Sequence, residues 1–464
     1  MASPQVAIIG GGISGLAAAH ELTQRGVPFV LLERAPRCGG VIRTDRVDGY
    51  TIDAGPDAIL TQKPAATALC RELGLGARLR PQLHRQTFIV RDRRLRPLPE
   101  ASVFGIPTRW APFVGSDVFT WHGKLRMAAE MFLPGRPAAD ESIGAFIGRR
   151  FGREAVEYLA EPLLAGIHGG DASRLSMRAA FPKLLDLEAA HRSVILGFRR
   201  ATAGRAPTAT AAPSPFVALP SGMAELSETI VKSLPSRALR TGIGVEALSE
   251  VERGYLLRLS DGERIIVPAV ILATPPSVSA RLTRSVDAEL AALCGSITAA
   301  SVVTIALGYP RSSVGRRLNG TGFVVPRREG LSIRAVSWVS SKWADRAPDD
   351  RVLLRAYLGG VTDPNAIDLS DTSLIAASHR DLASMLDIHG EPELTRVYRW
   401  PGATPQLEVG HTALIDRIEA RLASHSGLFL SAGGIRGTGI ADCVADARCQ
   451  ARRAAGDLAP ALTA

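Results

Sequence analysis

The chain has 464 residues, of which 46% are apolar and 22% charged, and its 55 Lys and Arg against 45 Asp and Glu leave a formal charge of +10. At about 150 residues per domain this is length for about three domains, and charge diluted among so many apolar residues excludes a disordered chain. No uninterrupted apolar run reaches the ~18 residues of a bilayer-spanning helix. From the N-terminus, Gln5–Ile9 reads as a short buried strand that runs into Gly10-Gly11-Gly12-Ile13-Ser14-Gly15, a G-x-G-x-x-G motif. Leu16–Arg25 reads as a helix stopped by Gly26, and Val27–Leu32 as a second strand ending at Glu33. In this context Gly10 permits the tight turn, Gly12 lets backbone approach a pyrophosphate, and Gly15 lets helix pack on strand. The helix N-terminus stabilises phosphate charge. Glu33 follows Gly15 by 18 residues, where a carboxylate can accept from ribose hydroxyls. A dinucleotide site is therefore expected.

Further along, residues 85–200 read as largely helical, with amphipathic spacing around Leu125, Ala129 and Phe132. Residues 201–216 are rich in Ala, Thr and Pro without apolar periodicity, and read as a mobile loop. Val270–Ala273 reads as a strand followed by the turn Thr274-Pro275-Pro276. Ser301–Leu307, Trp338 and Arg351–Tyr357 read as strands of a separate sheet. The five cysteines (Cys38, Cys70, Cys294, Cys443, Cys449) form no C-x-x-C pair, so neither a zinc site nor a disulfide framework is expected, and no other metal. No basic segment followed by an apolar h-region opens the chain, and the expected compartment is the cytoplasm.

A second glycine pair follows the acidic residue in Glu33-Arg34-Ala-Pro-Arg-Cys-Gly39-Gly40-Val41-Ile-Arg43-Thr44. The stretch from Val6 to Thr44 resembles the FAD-binding signature of the flavin amine oxidase superfamily, which includes amine oxidases, phytoene desaturases and porphyrinogen oxidases. Gly49–Leu60, Phe181-Pro182, His191–Leu196, Arg399-Trp400-Pro401 and Gly437-Thr-Gly439-Ile-Ala-Asp442-Cys443 resemble the porphyrinogen oxidases in particular. The resemblance implies an α/β fold with a discontinuous Rossmann-like domain for FAD (residues 1–80, 217–290 and 405–464). It further implies an α+β substrate-binding domain (291–404) and a helical, membrane-associated domain (85–200).

Residue by residue, the same resemblance places Gly10 to Gly15 on the pyrophosphate, and Glu33 and Arg34 on the adenosine ribose. It places Gly39, Gly40 and Val41 near the phosphates and ribityl chain, and Gly55, Pro56, Asp57 and Ala58 beside the isoalloxazine. Val245 would meet adenine and Trp400 would flank the flavin, while Thr438, Gly439 and Ile440 would begin a helix near the ring, whose N–H groups stabilise negative charge. In one departure from the family, the acid or amide side chain that often follows a glycine before the last motif is missing, that place reading Ala432-Gly433.

The implied activity is oxidation of protoporphyrinogen IX or coproporphyrinogen III to the porphyrin in haem biosynthesis. Three two-electron hydride transfers to flavin would each be followed by reoxidation by dioxygen, with hydrogen peroxide as product. No Ser-His-Asp, H-E-x-x-H or clustered carboxylate pattern is present, and no acid–base residue is assigned, since in a flavoenzyme the ring accepts the hydride. Lys63 stands where family members carry a cation for a substrate propionate, and Arg43 and Arg94 are further candidates. The basic stretch Arg85–Arg96, followed by Phe104, Ile106, Trp110, Phe113, Val114 and Phe119, would suit peripheral docking on an anionic membrane. No recognition motif supports nucleic-acid binding. The alternatives are an amine oxidase, a carotenoid desaturase, or a flavin- or porphyrin-binding protein without turnover.

Overall fold

The computed structural model describes residues 3–99, 102–103, 106–107, 113–136, 140–202 and 214–458. Its nucleotide-type half is built on a five-stranded parallel sheet in the order Leu239–Thr241, Phe29–Glu33, Val6–Ile9, Ala269–Leu272, Leu428–Leu430. These strands come from three distant parts of the chain. The central strands Val6–Ile9 and Ala269–Leu272 are buried at every position, as a parallel sheet covered on both faces requires. Alternate residues serve alternate faces. Ile8, Leu31 and Ile271 meet the helices Ile13–Gln24 and Ile440–Leu458, while Ala7, Val30, Leu32 and Val270 meet an antiparallel layer of Val245–Val251, Gly254–Leu259 and Arg264–Val267. Small side chains (Ala17, Ala18, Ala447, Ala451) let the two helices pack closely.

A seven-stranded sheet forms the second body, in the order Leu394–Pro405, Ala299–Pro310, Arg351–Gly359, Ala335–Trp338, Gly322–Val324, Thr87–Arg91, Arg94–Pro97. Its pairings are antiparallel except that between Gly322–Val324 and Thr87–Arg91. One face carries Val303, Ile305, Leu307, Leu354, Ala356 and Trp338 against the helix Asp371–Leu386. The opposite face carries Thr304, Ala306, Arg355, Tyr357 and Ser337 in register. That polar face turns toward the residues that follow the strand Tyr50–Asp53.

The helical body packs Phe146, Ile147, Phe151, Leu159, Leu164, Leu184 and Ile195 into a core of its own, which touches the sheet at Val324, Ala335 and Tyr357. Within it Arg150, 1% exposed, donates to the equally buried Glu130, whose carboxylate also accepts from Ser193 and from the Val194 N–H. Among the described residues no helix is long and apolar enough to cross a membrane.

Three sequence expectations change. Arg85–Arg96 is not part of the helical region, because Thr87–Arg91 and Arg94–Pro97 form a hairpin at the sheet edge. Asp92 and Arg93 both have positive φ, the requirement of a tight two-residue hairpin turn, and Phe88, Ile89 and Val90 are buried in the strand that the surrounding arginines disguise. Phe113 and Phe119 are buried against one another and supply no docking surface, while Phe104 and Trp110 lie outside the described residues. The expected loop is bounded by structure: the helix Val194–Thr202 reaches into it, and Phe216–Ala218 is a strand paired with Ile59–Leu60 and Arg80–Pro81. Residues 203–213 of that loop lie outside the described residues.

Candidate functional site

The glycine motif lies at the carboxyl end of Val6–Ile9, where the sheet hands over to the helix Ile13–Gln24. No side chain caps that helix at Gly12, and no acid stands in its first turn. Its N-terminal dipole is thus left for an external anion. A Cβ added to Gly12 would meet nothing within 4 Å, whereas one added to Gly15 would lie 1.8 Å from the Gly10 carbonyl oxygen. Gly12 therefore borders open space while Gly15 closes the helix–strand contact, with Ile13 and Ser14 buried between them. Glu33, at the end of the neighbouring strand, accepts from the Gly11 N–H at 2.6 Å and from the Ala35 N–H at 2.8 Å. Both of its oxygens are oriented, and its remaining lone pairs are available to hydroxyl donors.

The second glycine pair runs beside the first. The Gly39 N–H donates to the Gly11 carbonyl at 2.8 Å, and at Gly40, φ +56°, an added Cβ would lie 3.2 Å from the Gly12 Cα. Arg34 lies over Gly244, and the Ile243 N–H donates to the Glu33 carbonyl, so that Arg34 and Val245 sit on adjoining segments. Val41 is exposed, and its carbonyl approaches Gly55 so closely that a Cβ there would lie 2.0 Å away. A continuous backbone track thus leads from Gly10 through Gly40 and Val41 to Gly55, Pro56, Asp57 and Ala58. Uncapped helix, open space over Gly12 and oriented acid together fit a dinucleotide.

At the far end of the track the Trp400 indole N–H donates to the Ala54 carbonyl at 3.1 Å, and the Thr304 hydroxyl donates to the same oxygen at 2.8 Å. Asp57 pairs with Lys342 at 3.0 Å and Arg355 at 3.4 Å, and accepts from the Trp343 indole N–H at 3.3 Å. Burial pushes its carboxyl up, but Lys342 and Arg355 outweigh burial and hold it well below the usual carboxylate range. Thr438 and Gly439 lead into the helix at Ile440, and Cys443 in its first turn packs on Ser14, its thiol pushed up by burial to about 11. It is a packing thiol. A side chain at Gly433 would meet only Cys443 Sγ, at 3.7 Å.

Lys63 is half exposed and lies 2.7 Å from Asp442, in the first turn of the same helix. Arg43 donates to both oxygens of Asp45, at 3.0 and 3.1 Å, and lies over the Tyr398 ring. Arg94 stands at the tip of the edge hairpin. Sequence reasoning missed Thr304, Lys342, Trp343 and Arg355. The available signal was Arg355 itself, a lone cation in the middle of the apolar run Val352-Leu-Leu-Arg-Ala-Tyr-Leu358. Among the described residues no group of His, Cys, Asp and Glu is gathered that could hold a metal ion.

A parallel sheet with this glycine track, facing a large, mostly antiparallel sheet across it, defines a flavin-dependent oxidoreductase. The chain belongs to the flavin containing amine oxidoreductase family, whose model matches residues 13–459, and FAD is its cofactor. Within that family it is 38% identical over 452 residues to the coproporphyrinogen III oxidase of Bacillus subtilis (strain 168), with 95% of each chain covered. It is 30% identical over 466 residues to the coproporphyrinogen III oxidase of Staphylococcus aureus, covering 98% of this chain and 99% of that one. A crystal structure from Exiguobacterium sp. 255-15, provisionally named a protoporphyrinogen oxidase, superposes with a TM-score of 0.87 at 31% identity over 99% of both chains.

Proposed function

We propose that this chain oxidises a porphyrinogen to the porphyrin in haem biosynthesis, with dioxygen as electron acceptor and coproporphyrinogen III preferred over protoporphyrinogen IX. The observation that carries the reading is its likeness, along nearly the whole chain, to proteins named coproporphyrinogen III oxidase. When bound, FAD would supply two-electron acceptor chemistry, with dioxygen as the terminal acceptor and hydrogen peroxide as its product. The chain's own residues bind and orient. Gly10, Gly11, Gly12, Ile13, Ser14 and Gly15 would hold the pyrophosphate, Glu33, Arg34 and Val245 the adenosine, and Gly39, Gly40 and Val41 the phosphates and ribityl chain. Gly55, Pro56, Asp57, Ala58 and Trp400 would flank the ring, with Thr438, Gly439 and Ile440 at the helix N-terminus.

Lys63, and secondarily Arg43, would meet substrate propionates. Coproporphyrinogen III carries two more of these than protoporphyrinogen IX, so a cation at the rim favours it. An amine oxidase would need an aromatic cage for its substrate; Trp400 stands at one expected place, while the nearby Trp343 indole is engaged with Asp57. The domain division that goes with this reading assigns 1–80, 217–290 and 405–464 to FAD. It assigns 291–404 with the hairpin 87–97 to substrate, and the helices up to residue 202 to the third part.

The reading also includes a cytoplasmic protein lying peripherally on the membrane. Trp121, Leu125 and Phe132 project outward at 66%, 69% and 82% exposure. The basic hairpin adjoins them, with Arg96 paired to Asp117 and Arg91 donating to the Val118 carbonyl. Apolar side chains flanked by cations suit an anionic interface.

The deciding experiment offers freshly reduced coproporphyrinogen III and protoporphyrinogen IX in parallel to the FAD-loaded chain in air, following porphyrin fluorescence. Turnover above the no-enzyme rate, faster with coproporphyrinogen III, is the expected result. No turnover of either substrate overturns the reading.

A further inference from the structure

Arg355 is 3% exposed in the middle of an apolar strand, and a guanidinium so buried is costly unless most of its donors and its charge are met. Its Nη1 donates to the carbonyls of Asp53 and Gly55, the latter at 2.8 Å. Its Nη2 donates to the Tyr357 hydroxyl and lies 3.4 Å from the Asp57 carboxylate, while Nε has no hydrogen-bond partner. Thr304 and Trp400 both donate to the carbonyl between, that of Ala54. Each carbonyl from Asp53 to Gly55 is therefore held by a side chain of the seven-stranded sheet. Charge gathers there as well. Lys342, Arg346 and Arg355 face the two carboxylates of Asp53 and Asp57, with Arg346 3.0 Å from Asp53.

We propose that Arg355 is a positioning residue of the oxidation reaction: it locks the Asp53–Asp57 backbone from the opposite sheet and keeps an excess of positive charge behind it, so tuning the bound flavin. The inference rests on the reading above that Gly55 to Ala58 runs beside the isoalloxazine. Two physical effects are combined. Hydrogen bonds from a cation fix the distance of the segment from the ring, and the buried charge favours the electron-rich, reduced form over the oxidised one. Neither effect requires Arg355 to touch the substrate.

The test uses the full-length, FAD-loaded chain and the variants Arg355→Gln, Arg355→Lys and Thr304→Val, with Arg351→Gln on the same strand as control. Arg355→Gln is expected to lower the midpoint potential of the bound flavin, alter its visible absorption envelope, and reduce kcat about tenfold while KM changes little. Arg355→Lys keeps the charge but cannot span both carbonyls. It should recover the potential without recovering the absorption envelope. Thr304→Val removes one hydrogen bond and no charge, and should alter the envelope alone. Should Arg355→Gln not fold, Arg355→Lys and Thr304→Val decide on the absorption envelope. Potentials and spectra of the loaded variants identical to wild type overturn the inference. A wild-type chain that carries FAD and turns over porphyrinogen while the variants match it overturns this inference alone. A wild-type chain without turnover overturns the functional reading instead.

Discussion

Lys63 and Asp442 are 379 residues apart in the chain, yet the ammonium lies 2.7 Å from one carboxylate oxygen and 2.9 Å from the other. The pair joins the segment after the strand Ile59–Leu60 to the first turn of the helix Ile440–Leu458. It is half exposed on the lysine side, and such a pair is worth at most about 1 kcal/mol. A propionate can therefore share or take the ammonium. Lys63→Met should raise KM for coproporphyrinogen III about tenfold, the loss of one charge-assisted contact, with kcat within about twofold of wild type. Steady-state kinetics check this, and an unchanged KM would show that the propionates are held elsewhere.

The two glycines at the ends of the motif's last four residues separate cofactor binding from folding. Gly12 has φ −68° and open space at its Cβ position, so Gly12→Ala should change stability by less than about 1 kcal/mol. It should nevertheless lower the FAD content of the purified protein, because on the proposed reading the methyl group would occupy the approach to the phosphates. Gly15→Ala places its Cβ against the Gly10 carbonyl and should cost about 3 kcal/mol or more by forcing helix and strand apart. Thermal melts and flavin absorbance, measured on both variants, distinguish the two outcomes.

Glu21 binds the motif helix to the C-terminal helix. It is 4% exposed and receives hydrogen bonds from Arg25, Arg448 and Arg452. Burial pushes its carboxyl up, but the arginines outweigh burial and hold it at about 2 against an ordinary value of 4.5. A carboxyl lowered in the folded chain contributes stability that is complete above its ordinary value and is lost as pH falls through the folded one. Glu21→Gln should cost about 1–3 kcal/mol at neutral pH. The difference in stability between wild type and Glu21→Gln should shrink as pH falls from about 4.5 to about 2, as denaturant melts across that window will test.

The exposed side chains Trp121, Leu125 and Phe132 supply the fourth prediction. Replacing all three with Ser should weaken co-sedimentation with vesicles rich in anionic lipid about tenfold or more, with porphyrinogen turnover in solution retained. Equal sedimentation of wild type and variant would remove this face from any membrane contact.

Most of the flavin half was legible in the sequence because its determinants are local. A strand, a glycine turn, a helix and an acid within Val6–Glu33 each follow from neighbouring residues, and the structure reproduces Val6–Ile9 and Phe29–Glu33 to within two residues at each end. The strands around Ser301–Leu307 and Arg351–Tyr357 were legible for the same reason, though each extends further in the sheet. The hairpin Thr87–Pro97 was not, since its arginines mask a pattern whose burial comes from partners at Gly322–Val324 more than 200 residues away.

The amphipathic spacing at Leu125 and Phe132 shows the opposite limit. Periodicity marks a helical face, but only packing decides which way the face turns, and here both side chains point to solvent. The sequence by itself therefore determined the strand–glycine turn–helix–strand unit of Val6–Glu33, set by short-range spacing and backbone conformation, while the further residues expected along the track came from the family resemblance. Only the tertiary structure decided that Thr304, Lys342, Arg355 and Trp400 converge on Asp53–Asp57 and that Asp442 meets Lys63, because those contacts join segments hundreds of residues apart and arise only when the two sheets face each other.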